Sequence, residues 1–229
     1  MSTPVELTRH FDRELGNLKQ DLLRMAALAE TAVSKSVESL TNRDSDRARE
    51  VIIDDITLNR MELAIEEQAF KLLALRQPVA TDLRLTVAGM RIATELERIG
   101  DQAVNIAERA LELNSRPPLE LPIDIKLMAD IALGMVRTSI DAFVNQDPKL
   151  ALQVCQRDVE VDILDDEYIQ KLLDSMIQES RWVTRLHHFI IVVRNLERIA
   201  DLATNIAEDI VFIVEGRVIK HRCEDWMMS

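Results

Sequence analysis

The chain has almost no aromatic side chains, few glycines and only two cysteines, and each scarcity narrows what it can be. Aromatics are 3% of its 229 residues while apolar residues reach 47%, so its core must be packed with Leu, Ile, Val, Ala and Met. Five glycines leave long runs without a turn signal. Such runs, rich in Leu, Ala, Glu and Arg, favour helix over strand. Cys155 and Cys223 are too few and too isolated for a disulfide framework or a CxxC metal site, which fits a reducing cytoplasm. No apolar run approaches the roughly 20 residues of a membrane-spanning helix. The clearest, Phe189 to Val193, ends at Arg194. The opening residues Met1 to Glu6 lack the basic start and apolar stretch of a signal peptide. Positive charge is also in deficit. At a formal net charge of −12 the chain has no electrostatic footprint for nucleic acid or an anionic membrane surface. A soluble intracellular protein is expected, one suited to cations or basic protein surfaces.

What is present is helical punctuation. Thr3-Pro4-Val5-Glu6 offers a capping box with Pro at the first helical position, and Leu15, Leu18, Leu22, Met25, Ala29, Val33 and Leu40 follow at helical steps. Thr41-Asn42-Arg43-Asp44 breaks that helix. A second runs to about Gln77, and a third from Thr81-Asp82 to about Asn114. Arg116-Pro117-Pro118-Leu119-Glu120-Leu121-Pro122 cannot continue a helix. A fourth helix is expected from about Ile123 to Asn145. A fifth, capped by Asp147-Pro148, runs to about Glu179, and a sixth to Gly216. Phe189–Val193 and Ile210–Val214 are β-branched enough to suggest strands, but both keep phase with the helical pattern and read as buried helix.

An internal repeat organises these six helices. Leu96-Glu97-Arg98-Ile99-Gly100-Asp101-Gln102-Ala103-Val104-Asn105-Ile106-Ala107-Glu108 recurs one hundred residues later as Leu196-Glu197-Arg198-Ile199-Ala200-Asp201-Leu202-Ala203-Thr204-Asn205-Ile206-Ala207-Glu208, with three substitutions in thirteen positions. Amphipathic helices match by chance in apolar pattern, but not in Glu, Arg, Asp, Asn and Glu individually. The expected fold is all-α: two tandem three-helix bundles related by internal duplication. The first spans residues 1–116 and the second 121–219, with a linker at 117–120 and a tail at 220–229.

Each repeat carries an acidic stripe. Glu97, Asp101, Asn105 and Glu108 fall within an arc of about 80° on a helix, opposite Leu96, Ile99, Ala103 and Ile106. Glu197, Asp201, Asn205 and Glu208 repeat the arrangement. A second stripe precedes each: Asp55, Asn59, Glu62 and Glu66 on the second helix, and Asp158, Asp162 and Asp165 on the fifth. Packed side by side, each pair of stripes converges into an oxygen-rich groove, whose like charges raise one another's pKa until a multivalent cation relieves them. All-oxygen ligands suit hard ions such as magnesium, manganese or calcium, and also iron. The competing reading is a solvated face balanced by Arg91, Arg98, Arg194 and Arg198.

Catalytic patterns are missing. The residues three before His10, His187, His188 and His221 are Leu7, Thr184, Arg185 and Val218, so no di-iron Glu-x-x-His pair exists. There is no Gly-rich phosphate loop and no HExxH helix. His187 and His188 read as residues at a helix surface or boundary.

The paired Leu-Glu-Arg-Ile-(Gly/Ala)-Asp followed by Asn-Ile-Ala resembles the duplicated signature of the PhoU family, as does Pro78-Val79-Ala80-Thr81-Asp82-Leu83-Arg84. The resemblance covers nearly the whole chain in length, duplication and motif order. It implies that Glu97, Asp101, Glu197 and Asp201 are metal ligands for surface iron, zinc, manganese or magnesium ions. The partners Asp55 with Glu62 and Asp158 with Asp165 are a geometric extension. It further implies a non-enzymatic cytoplasmic negative regulator of phosphate uptake and of the phosphate-starvation (Pho) regulon. Such a regulator links the ATPase subunit of the phosphate ABC transporter to a sensor histidine kinase, commonly as a homodimer, and reaches the inner membrane through its partners. Asp82 and Arg84 are candidates for partner contact, with pairing of Arg84 to local carboxylates as the simpler alternative. Trp226, Met227 and Met228 could dock on a partner, though a frayed terminus is the default. Two rival functions remain: a metal-free helical scaffold serving another transporter or signalling complex, and a carboxylate-bridged metal enzyme. Deep, solvent-excluded carboxylates would favour the enzyme and shallow stripes the adaptor. The halves differ, because Asn59 stands where the second has Asp162. Weaker metal occupancy is therefore expected in the first groove of a metal-titrated crystal, and equal occupancy would refute it.

Overall fold

The computed structural model describes residues 4–217, with the side chains of residues 4–10 and 12 excepted. The cap expected at Thr3 and the tail with Cys223 and Trp226 lie outside the described residues, as do the side chains of His10 and His221. Six long helices follow in order: α1 Pro4–Thr41, α2 Ser45–Arg76, α3 Ala80–Asn114, α4 Ile125–Asn145, α5 Pro148–Gln178 and α6 Val183–Glu215. The chain forms two three-helix bundles, α1–α3 and α4–α6, joined by packing of α3 on α6 and of α1 on α4. Phe189–Val193 and Ile210–Val214 are buried segments of α6.

The helix ends follow the local chemistry. Asp44 accepts hydrogen bonds from the backbone of Asp46 and Arg47, Asp124 from Leu127, and Asp147 from Lys149 ahead of Pro148. Gly216 closes α6 with φ at 71°. Two boundaries differ from the sequence expectation. Helix α3 starts at Ala80 with no side-chain cap, because Val79 occupies the N-cap position and Thr81 and Asp82 already lie in the first turn. A short 3-10 turn, Ser180–Trp182, separates α5 from α6. Nor is Cys155 the isolated thiol expected. It is buried on α5 and disulfide-bonded.

Arg84 has a role the sequence did not reveal. Its Nε donates to the carbonyl of Ile213 at 3.0 Å and its Nη2 to Thr81 Oγ1 at 3.2 Å, rather than to a local carboxylate. The last carbonyls of α6 lack intrahelical donors, and a guanidinium supplies one where the helix dipole also favours positive charge. Arg43 does the same for α3, donating from Nη2 to the carbonyls of Leu113 and Asn114 at 3.3 and 3.0 Å and to that of Arg116.

Helices α3 and α6 run antiparallel. Arg84 meets the end of α6 at Ile213, Arg91 meets Asp209, and Glu95 meets Asn205, each step along α3 running back along α6. One continuous apolar core runs through both bundles, with Leu96, Ile99, Ala103 and Ile106 of α3 and their counterparts on α6 fully buried.

The repeats compensate where they differ. A Cβ on Gly100 would sit 2.5 Å from Leu58 Cδ1 of α2, so any larger residue there forces Leu58 to shift. In the second half Ala200 replaces Gly100 and Val161 stands at the position of Leu58, both buried. One methyl has moved from α2 to the motif helix, with volume conserved. Gly100→Ala is expected to destabilise by about 1–3 kcal/mol, and adding Leu58→Val to recover most of it. Chemical denaturation of the two singles and the double would measure that coupling.

Candidate metal centre

Packing of α2 on α3 and of α5 on α6 fixes which faces of the acidic helices meet. Glu97 is half-buried on α3, and its carboxyl is pushed up to about 7, first by burial and then by the charges of Asp101, Glu62 and Asp55, with Arg98 opposing. Asp55 is raised by burial and by Asp101, against the pull of Asn59, whose Nδ2 donates to its Oδ2 at 3.2 Å. Four carboxylates from two helices thus share one electrostatic neighbourhood. The second half repeats it. Asp158 is pushed up to about 7 by burial, then by Asp162, Asp201 and Glu197. Glu197 rises to about 6 through burial, Asp201 and Asp165, with Arg194 opposing.

The grooves are open rather than deep. Asp101, Asp162 and Asp201 are exposed, while Asp55, Glu62, Glu97, Asp158 and Glu197 are half-buried. Asp165 departs from the others. Only 3% exposed, it takes Arg194 Nη1 on Oδ2 at 2.6 Å. Burial still raises its pKa against that pairing. Arg194 therefore neutralises one carboxylate of the second groove, and Thr94 stands at its place in the first. The extra charge of Asp162 over Asn59 is offset by this arginine, so the two grooves differ less in net charge than the sequence implied.

Not every stripe residue joins its groove. Asn205 turns across the α3–α6 seam, its Nδ2 on Glu95 Oε2 at 3.4 Å, and so leaves the second groove. Glu108 pairs with Arg109 at 3.1 Å. Asn105 is exposed, and Glu66 and Glu208 are half-buried. Sequence reasoning missed Asp209, which meets Arg91 at 3.1 Å and is pushed up to about 6 because burial outweighs the arginine. No repeat signal could have found it, since position 109 is Arg. His187 is exposed and His188 half-buried near the start of α6, away from both grooves.

The donor set is compatible with a hard cation, yet it is not closed around one. Among the described residues no three carboxylates, imidazoles or thiols stand close enough to hold a single ion. Asp55 Oδ1 and Asn59 Oδ1 in the first groove, and Asp165 Oδ1 in the second, are buried without a hydrogen-bond partner. An orphaned buried oxygen costs roughly 1–3 kcal/mol, and a cation or water would relieve it.

The family model of the PhoU domain matches residues 22–110 and again 125–210. The phosphate-specific transport system accessory protein PhoU homolog of Aquifex aeolicus is 38% identical over 210 residues, covering 92% of this chain and 95% of the relative. That of Xylella fastidiosa strain Temecula1 is 32% identical over 222 residues, covering 96% and 92%. Crystal structures of PhoU from Pseudomonas aeruginosa and of the phosphate transport system regulatory protein PhoU from Streptococcus pneumoniae superpose with TM-scores of 0.86 and 0.84, at 36% and 27% identity. They cover 90% and 92% of this chain, and 100% and 99% of their own lengths.

The raised acids set a pH dependence for the metal-free protein. Asp158 titrates near 3.8 when unfolded and about 7 when folded, so the folded state holds an extra proton between those values. Stability therefore falls as pH rises through that window. In chelator-treated protein, Asp158→Asn should raise the melting temperature at pH 8 and leave it unchanged at pH 3. The rise should be about 2–4 °C for each ~1 kcal/mol of repulsion and desolvation relieved. An equal change at both pH values would count against a charged, crowded groove.

Proposed function

The chain belongs to the PhoU family, and from that premise we propose that it is a metal-binding, non-enzymatic regulator of phosphate uptake. It acts as a cytoplasmic negative regulator of the phosphate-starvation regulon, between the ATPase subunit of a phosphate ABC transporter and a sensor histidine kinase, and it works as a homodimer. The observation that carries the metal part of the reading is the duplicated groove: on each side two helices bring together carboxylates that burial and mutual repulsion hold partly protonated. Glu97, Asp101, Asp55 and Glu62 would hold a metal in the first groove, and Glu197, Asp201, Asp158 and Asp162 in the second. Asn59 adds a neutral oxygen to the first. Arg194 pairs with Oδ2 of Asp165 and leaves Oδ1 of that carboxylate without a donor beside the second groove.

A bound iron, zinc, manganese or magnesium ion would supply positive charge that relieves the repulsion. The chain's own contribution is to hold α2 against α3 and α5 against α6, so that charge placed in a groove stiffens a helix pair. Open carboxylates suit a regulator more than a metal enzyme, which needs a water-excluded site. Among the described residues no helix is long and apolar enough to cross a membrane, so attachment to a transporter runs through protein contacts.

Two measurements test this. Purified untagged protein should contain metal, and a variant with Glu97, Asp101, Glu197 and Asp201 all changed to Ala, still helical by circular dichroism, should not. Deleting the gene should release phosphate uptake and phosphatase expression in high phosphate. Unchanged repression would overturn the regulatory assignment, and absence of metal after reconstitution would overturn the metal part alone.

A further inference from the structure

Helix α2 buries one face on α1 and α3, yet its opposite face is strongly apolar. Ile56, Leu63 and Phe70 stand 52%, 65% and 61% exposed, at intervals of seven residues. Residues seven apart drift only about 20° around a helix, so the three form one stripe about 21 Å long. Between them, on the same side, lie Arg60 and Glu67. Single exposed apolar residues are ordinary, but a heptad-spaced row along one helix is an apolar face that another helix can cover.

The order of the charges selects the partner. Counted from Leu63, Arg60 lies three residues before and Glu67 four after, while Ile56 and Phe70 lie seven either side. An antiparallel second α2 centred on Leu63 brings Ile56 onto Phe70 and Leu63 onto its own copy. It also sets Arg60 opposite Glu66 and within one residue, about 1.5 Å along the axis, of Glu67, twice. A parallel partner would instead oppose arginine with arginine and glutamate with glutamate, which is unfavourable. The equivalent stripe on α5 lacks this symmetry: Asp166 stands where α2 has Leu63, and Ile163 and Gln170 replace Arg60 and Glu67.

We infer that the outward face of α2 is the dimer seam of this protein, self-complementary and antiparallel about Leu63. It deepens the homodimer part of the proposed function and rests on that part. Asp55 and Glu62 line the flank of α2 toward α3, so the seam leaves the first groove accessible beside it. Glu67, now paired with Lys71 at 2.6 Å on its own helix, would exchange that exposed pairing for Arg60 of the second copy.

Sedimentation equilibrium of the full chain, with circular dichroism to confirm folding, tests the seam. Wild type should show a concentration-dependent mass near twice the 26.1 kDa chain. Leu63→Asp should remain helical and become monomeric, whereas Leu173→Asp on α5 should stay dimeric. Arg60→Glu and Glu67→Arg should each weaken the dimer by opposing like charges, and the double exchange should restore it. A dimer unaffected by Leu63→Asp, or singles not rescued by the double exchange, would overturn the seam and leave the homodimer reading standing. A monomeric wild type would overturn both, while the phosphate-uptake assay would still judge the regulatory reading.

Discussion

Everything in this molecule depends on how α3 and α6 are buried. Each packs against both other helices of its own bundle and against the other along a shared antiparallel seam. A helix enclosed on three sides has only a narrow arc left for polar residues. The acids of each repeat fall in that arc, where they must face the neighbouring α2 or α5. Small side chains permit the close approach, and at Gly100 a Cβ would force Leu58 to shift. The grooves are therefore a consequence of core packing rather than an addition to it.

This arrangement holds like charges in conflict with burial. Water can solvate one edge of each groove, which limits the repulsion, and the remaining strain appears as raised carboxyl pKa values on Glu97, Asp158 and Glu197. The two halves meet the conflict differently. The first substitutes a neutral amide at Asn59, whose nitrogen donates to Asp55, whereas the second keeps Asp162 and brings in Arg194 to pair with Asp165. The two halves share the geometry and differ in how charge is balanced within it.

Helix α2 shows how one element serves several surfaces. One side packs into the bundle through Val51, Leu58, Ile65 and Leu72, a second contributes Asp55 and Glu62 to a groove, and a third exposes Ile56, Leu63 and Phe70. A period near 3.6 residues lets these three sets interleave along thirty-two residues without competing for positions.

The sequence alone determined the helices, most of their stops, the duplication and the acidic stripes on four of them. These properties are local or periodic: Asp147-Pro148 caps a helix wherever it sits, and thirteen matched residues declare a repeat without any fold. The convergence of Asp55 with Glu97 was also legible, because stripes at helical spacing on adjacent helices have few ways to meet. The tertiary structure decided what depends on long-range approach. It set Arg84 on the carbonyl of Ile213, Arg194 on Asp165, Asn205 on Glu95 and Arg91 on Asp209. Long polar side chains choose partners by what burial brings within about 3 Å, and nothing in the spacing of residues along one chain encodes which helix will be there.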